Sequence, residues 1–136
     1  MISTKGRYAL RFMIDLAAHA AEGPIPLKDV AARQEISQKY LEIIVKDLVN
    51  AKLLTGARGK GGGYQLVKAP EDTSVGEILE ATEGSLAPVS CLACDSAPCP
   101  RASRCPTLPL WEEYDRFTHD YFYGKRLTDL LQSEVM

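Results

Sequence analysis

Residues 58–64 read Arg-Gly-Lys-Gly-Gly-Gly-Tyr, and this run constrains the fold more than any other part of the 136-residue chain. Three consecutive glycines, Gly61, Gly62 and Gly63, have no side chains to pack and strongly disfavour helix. They permit positive φ, so they suit a tight reversal between two strands and a close approach of backbone to a partner. The flanking runs Leu53-Leu54-Thr55-Gly56-Ala57-Arg58 and Tyr64-Gln65-Leu66-Val67 read as those two short strands. Arg58 and Lys60 put positive charge on the reversal. A glycine-rich loop that cradles a nucleotide phosphate opens a helix and is followed by a Lys-Ser/Thr pair; neither holds here.

The chain before this hairpin is helical in pattern. Ala9, Phe12, Met13, Leu16, Ala17 and Ala20 share one helix face, which predicts a helix over 4–21 ended by Gly23-Pro24. A short helix over 27–34 is expected to bury Leu27, Val30 and Ala31. Glu35-Ile36 leaves room only for a tight turn, and Ser37 suits the N-cap of a third helix over 38–51. Leu41, Ile44, Val45, Leu48 and Val49 form its apolar stripe. Two short helices joined by a tight turn make a helix-turn-helix over 27–51. Its second helix turns Gln38, Lys39, Glu42 and Lys46 outward, residue types that face a DNA groove. The helices alone fit a plain three-helix bundle equally well. A basic glycine-rich hairpin directly after them is a wing, placed to touch phosphates or enter the minor groove, and it decides for DNA.

Charge agrees with that reading. Residues 1–68 hold 11 Lys/Arg against 6 Asp/Glu, and residues 69–136 hold 5 against 12. A basic amino-terminal half suits a polyanion, and an acidic carboxy-terminal half does not. With 46% apolar and 25% charged residues the composition is that of an ordinary globular protein. No stretch reaches the roughly 20 apolar residues that span a bilayer, and the amphipathic start is no secretory signal. A cytoplasmic protein without membrane contact is expected, and no catalytic constellation is visible.

Beyond the wing, Asp72-Thr73-Ser74 leads into a fourth helix over 75–82, with Ser74 and Glu77 as a capping box and Gly84 at its end. Residues 85–106 are rich in Pro, Ser, Ala and Cys, lack periodicity and read as a loop. A last helix over 108–123 has a large aromatic face of Leu110, Trp111, Tyr114, Phe117, Tyr121 and Phe122. Gly124 breaks it, and Leu127, Leu130 and Leu131 continue as a short amphipathic tail. So apolar a face suits burial against a second copy of the chain, although packing on the chain's own first helix would also cover part of it. A homodimer also presents two recognition helices to the two halves of a palindromic operator in double-stranded DNA. The expected fold is mainly α with a small β-wing: a winged helix-turn-helix over 1–84, a cysteine-rich sensor loop over 85–107, and a long dimerisation helix with its tail over 108–136.

All four cysteines, Cys91, Cys94, Cys99 and Cys105, fall in the loop. Such clustering in a reducing compartment points to metal or redox chemistry rather than structural disulfides. Thiolates select zinc, copper(I) or iron–sulfur clusters. Structural zinc sites prefer two Cys-x2-Cys knuckles, and only one such pair, Cys91 and Cys94, occurs here. Dispersed thiolates on a flexible loop suit an iron–sulfur cluster first, with zinc and a bare thiol/disulfide switch behind it as alternatives. His19 and His119 fall inside helices and read as ordinary helix residues.

Several motifs together resemble the iron–sulfur cluster regulator family of winged helix-turn-helix repressors, of the IscR and NsrR kind. They are Thr4-Lys5-Gly6-Arg7-Tyr8-Ala9-Leu10, then Ile36-Ser37 followed by Tyr40-Leu41-Glu42, the wing Arg58-Gly59-x-Gly61-Gly62-Gly63-Tyr64, and the cysteine loop running into Leu110-Trp111. The resemblance covers essentially the whole length and implies a dimer crossed by its C-terminal helices. It implies a cluster, 2Fe-2S ahead of 4Fe-4S, on Cys91, Cys99 and Cys105, with Cys94 as an addition. It adds Tyr40 and Gly61 to the DNA-facing set of Gln38, Lys39, Glu42, Lys46, Arg58 and Lys60. The chain departs from the pattern in two places. Leu108 stands where IscR-type members have a histidine, and the first helix carries Tyr8 and no acid before Asp15 where NsrR-type members can supply a carboxylate. The fourth ligand is thus open between Cys94 and a group of the partner subunit. The competing readings are the same repressor with a zinc or dithiol switch, a regulator whose acidic, aromatic half binds another protein, and, in a different class, a cluster-bearing electron carrier.

Overall fold

The computed structural model describes residues 2–89, 92 and 100–134. The order is α1 (Thr4–Ala18), α2 (Leu27–Gln34), α3 (Gln38–Asn50), β1 (Leu54–Ala57), β2 (Gly63–Leu66), α4 (Val75–Glu83), α5 (Leu108–Tyr123) and α6 (Leu127–Glu134). The architecture is mainly α with one antiparallel hairpin, in which Leu54 pairs Leu66 and Ala57 pairs Gly63.

Local signals set the helix ends. Ser3 caps α1 by accepting from the Gly6 N–H at 3.2 Å. The helix stops at Ala18, three residues before the expected end, and a 3₁₀ turn over Ala20–Glu22 follows, so Ala20 is exposed rather than on the buried face. Ser37 caps α3 through the Tyr40 N–H at 3.1 Å. The Ser74–Glu77 capping box opens α4, and Gly84 closes it one residue later than expected.

The core is built on α1. Phe12, Met13 and Leu16 are buried against Val30 of α2, Leu41, Ile44, Val45 and Leu48 of α3, Ile78 of α4 and Leu127 of α6. Each large side chain so buried contributes roughly 1.5–3 kcal/mol. Two expectations are corrected at the edges of this core. Val49 is 38% exposed, because at about 100° per residue it lies roughly a quarter-turn from the centre of the α3 stripe. In α2 only Val30 is buried, with Leu27 and Ala31 half-buried.

The carboxy-terminal elements divide. The tail is a core element: Leu127 of α6 is fully buried, and its N–H donates to Thr73 O at 3.1 Å while the Val75 N–H donates to Lys125 O at 2.8 Å. Helix α5 instead leans on α4 with its half-buried face, where Phe122 and Tyr123 pack with Val75, Leu79 and Leu86. Gly76 makes this contact possible, since a Cβ there would lie 2.3 Å from the Tyr123 ring. The other face of α5 is uncovered: Leu110, Tyr114, Phe117 and Tyr121 are each more than half exposed. No described helix is long and apolar enough to cross a membrane.

One buried charge ties the first two helices together. Asp15 of α1 is almost completely buried and accepts from Arg33 Nη2 at 2.7 Å, Arg33 Nε at 3.1 Å and Gln34 Nε2 at 3.0 Å. Burial pushes the carboxyl up, but the hydrogen bonds from Arg33 and Gln34 outweigh it and hold the Asp15 pKa below its ordinary value. The fork fixes the carboxyl-terminal end of α2, where the chain turns on Glu35 in the left-handed region with φ 55°. A depressed carboxylate pKa adds stability above the unfolded value that is lost as pH falls through the folded one. Asp15→Asn is therefore expected to cost about 1–3 kcal/mol near neutral pH and to flatten the loss of stability below roughly pH 4, read by urea denaturation across pH. An unchanged acid limb would show that the fork carries no such linkage.

Candidate nucleic-acid interface

Polar and aromatic contacts from α1 orient α3. Lys5 pairs with Asp47, and the rings of Tyr8 and Tyr40 meet edge-on with centroids 5.7 Å apart. The Arg11 guanidinium lies 5.2 Å from the Tyr8 ring centroid and also donates from Nε to Gln34 Oε1 at 3.2 Å. With the apolar stripe facing the core, these contacts leave Gln38, Lys39, Glu42 and Lys46 exposed along α3. Tyr40, placed with them by sequence, is half-buried against Tyr8. Ile43 belongs to the exposed surface too, at 53%, although sequence reading passed it over. Its position opposite the apolar stripe is legible from the helical spacing, and its apolar side chain sets it apart from the polar types around it.

The wing is built by close backbone approach. The Ile25 N–H donates to Tyr64 O at 2.9 Å, and the Tyr64 N–H donates to Ile25 O at 2.8 Å, so the segment before α2 pairs with β2. Gly63 is required at this junction: a Cβ would sit 2.3 Å from the Ile25 carbonyl. At the other end of the hairpin, Leu53 and Leu54 are buried in the same core as α3. The hairpin tip turns through Gly59 and Gly61, both with positive φ, and the Gly62 N–H closes it on Gly59 O at 2.9 Å. Arg58, Lys60 and Gly61 are all exposed there. Among the described residues, Gln38, Lys39, Glu42, Lys46, Arg58 and Lys60 make no side-chain hydrogen bond or ion pair. Four cations and one carboxylate thus stand uncommitted on the recognition helix and wing of the basic half of the chain.

Of the four cysteines, Cys91, Cys94 and Cys99 lie outside the described residues. Cys105 is half-buried at the entrance to α5, its Sγ 3.4 Å from Thr107 Oγ1. Hydrogen bonds from Thr107, opposed by burial and aided by the charge of Arg101, hold this thiol below its ordinary pKa. A thiolate-favouring setting fits metal or cluster ligation. Among the described residues no three His, Cys, Asp or Glu side chains gather as a metal site. The histidines serve elsewhere. His19 Nδ1 lies 2.9 Å from Asp15 O, and His119 Nε2 of α5 lies 2.8 Å from Glu80 Oε1 of α4.

Comparison with known proteins follows the same lines. The family model described as "Rrf2: Iron-dependent Transcriptional regulator" matches residues 2–133. The HTH-type transcriptional regulator IscR of Aliivibrio salmonicida is 37% identical over 130 residues, covering 96% of this chain and 76% of that relative. Among solved structures, that of CymR (YrzC), the global cysteine regulator of B. subtilis, superposes with a TM-score of 0.78 at 36% identity, covering 98% of this chain and 97% of that one. IscR of T. potens superposes with a TM-score of 0.75 at 34% identity, covering 98% and 88%.

Proposed function

The chain belongs to the Rrf2 family of transcriptional regulators, a family of regulators rather than enzymes, and from that premise we propose that it is a homodimeric repressor controlled by its cysteine segment. The observation that carries the DNA-binding part is the uncommitted charge on α3 and the wing. Gln38, Lys39 and Lys46 contact bases or phosphates from the major groove, and Arg58, Lys60 and the Gly61 backbone act at the wing. Glu42 either accepts from cytosine N4 or repels the wrong sequence. Operator titrations at several salt concentrations test the set. Arg58→Ala is expected to weaken binding by about 1–3 kcal/mol at selected positions if it reaches a base edge. A smaller, sequence-independent loss with a shallower salt slope would reduce it to a phosphate contact. Unchanged operator preference in Glu42→Ala would exclude a readout role for that carboxylate.

The dimer rests on the uncovered α5 stripe. Leu110, Tyr114, Phe117 and Tyr121 recur every three or four residues on one side of a 16-residue helix. A second copy of α5 is the natural cover for such a seam. Phe117→Glu, at a side chain 67% exposed in the single chain, is expected to leave the fold intact and shift sedimentation toward monomer. A variant that stays dimeric would remove α5 as the interface.

The sensing part assigns Cys91, Cys99 and Cys105 as thiolate ligands, with Cys94 or a group of the partner subunit as the fourth. A cluster held there would supply iron–thiolate bonds that respond to oxidation, iron supply or nitric oxide. The chain's own residues supply the transmission. Leu86, at the start of the segment, packs with α4, while Cys105 and Thr107, at its end, run directly into the first turn of α5. Anchoring the segment therefore constrains how α5 sits on α4, and with it the spacing of two recognition helices in a dimer. The likeness to the B. subtilis cysteine regulator favours a second reading, in which the same repressor answers to cysteine supply through zinc, a dithiol or a protein partner. Visible thiolate-to-iron absorption in anaerobically purified protein, lost in Cys105→Ala together with a change in operator affinity of roughly 5–150-fold, is the expected result. A colourless protein containing one zinc would select the second reading.

A further inference from the structure

Ile43 breaks the chemistry of the outward face of α3. Its neighbours on that face are Lys39 one turn before and Lys46 nearly one turn after, with Glu42 beside it. All are exposed, and Ile43 is itself 53% exposed. The core-facing direction of the helix is set by Leu41, Ile44, Val45 and Leu48. At about 100° per residue, Ile43 lies roughly 30° from the direction opposite that stripe, closer to it than Glu42. It is the sixth residue of a helix that begins at Gln38, within the amino-terminal portion that a recognition helix inserts toward base edges.

A branched apolar side chain between two lysines has one complementary feature to meet in a DNA groove. The major-groove edges of the bases present donors, acceptors and a single apolar group, the thymine C5-methyl. We propose that Ile43 is a specificity-determining residue that packs on a thymine methyl in each half-site, next to the base pair that Glu42 faces. The lysines on either side hold the helix by charge and carry no sequence preference in themselves, so the methyl contact adds selectivity at one base pair. This inference rests on the DNA-binding reading above and adds to it a named base feature.

The operator sequence can be found within the test itself. Duplexes are selected from a random pool by the wild-type protein, and each thymine of the winning sequence is then replaced singly by uracil, which lacks only the methyl group. Wild type is expected to lose about threefold to fivefold in affinity at one symmetry-related position, the worth of burying one methyl group. Ile43→Ala is expected to bind thymine and uracil duplexes equally at that position, while Ile43→Val keeps the preference. A flat uracil scan with wild type, or a methyl preference that survives in Ile43→Ala, overturns the assignment while leaving DNA binding in place. Failure of the wild-type protein to enrich any duplex overturns the DNA-binding reading itself, and the assignment falls with it.

Discussion

Burial of one face of α1 is the constraint on which the rest of the molecule depends. Phe12, Met13 and Leu16 meet side chains from α2, α3, α4 and α6, so these helices share a single hydrophobic floor. The same helix carries the polar contacts that fix orientation: Asp15 holds the end of α2 through Arg33 and Gln34, while Lys5 and Tyr8 hold α3 through Asp47 and Tyr40. Burial of the α2 and α3 stripes fixes which face of each helix points outward, but it is non-directional and tolerates small changes of tilt. The forked hydrogen bonds and the edge-on ring pair do not, because their energy falls steeply with angle. Position and outward face come from the hydrophobic floor, and the finer orientation of the helices comes from the polar pins around it.

Much of this was legible in the sequence because it is periodic or local. The α1 and α3 stripes repeat at helical spacing, Ser37 and Ser74 are caps that act within three residues, and the triple glycine admits little besides a hairpin. What was not legible depends on residues far apart in the chain. Nothing near Leu127 announces that its α6 is a core helix, since the Thr73 and Lys125 backbone bonds that seat it join segments some fifty residues apart. The contact of Tyr40 with Tyr8 is of the same kind. Val49 marks the limit of stripe reading at the edge of a helix face, roughly a quarter-turn from the stripe centre, while the neighbouring Leu48 is still fully buried.

The candidate site divides in the same way. Outward faces follow once the buried stripe is known, so the exposure of Gln38, Lys39, Glu42 and Lys46 was predictable. The spacing of the cysteines was plain, and the setting of Cys105 was not, because it depends on how the chain turns into α5 at the N-cap residue Thr107, whose hydroxyl lies 3.4 Å from the sulfur. Ile43 follows from the same geometry, and only its apolar side chain sets it apart from the polar face around it.

Helix α5 leaves the body of the protein at one end and rejoins it at the other, where the Tyr123 ring lies in the gap over Gly76 and the backbones of Val75 and Lys125 are joined. In the proposed sensing role α5 is a lever whose fulcrum lies beside α4 and whose arm ends next to the thiol of Cys105. Sixteen residues at about 1.5 Å each give the arm a length of about 24 Å. A tilt of about 5° at the fulcrum then corresponds to about 2 Å of travel at the sulfur, on the scale of one metal–ligand bond. In the proposed sensing role, chemistry at the tip would thus be geared down to a fine adjustment beside α4, the helix packed against α3.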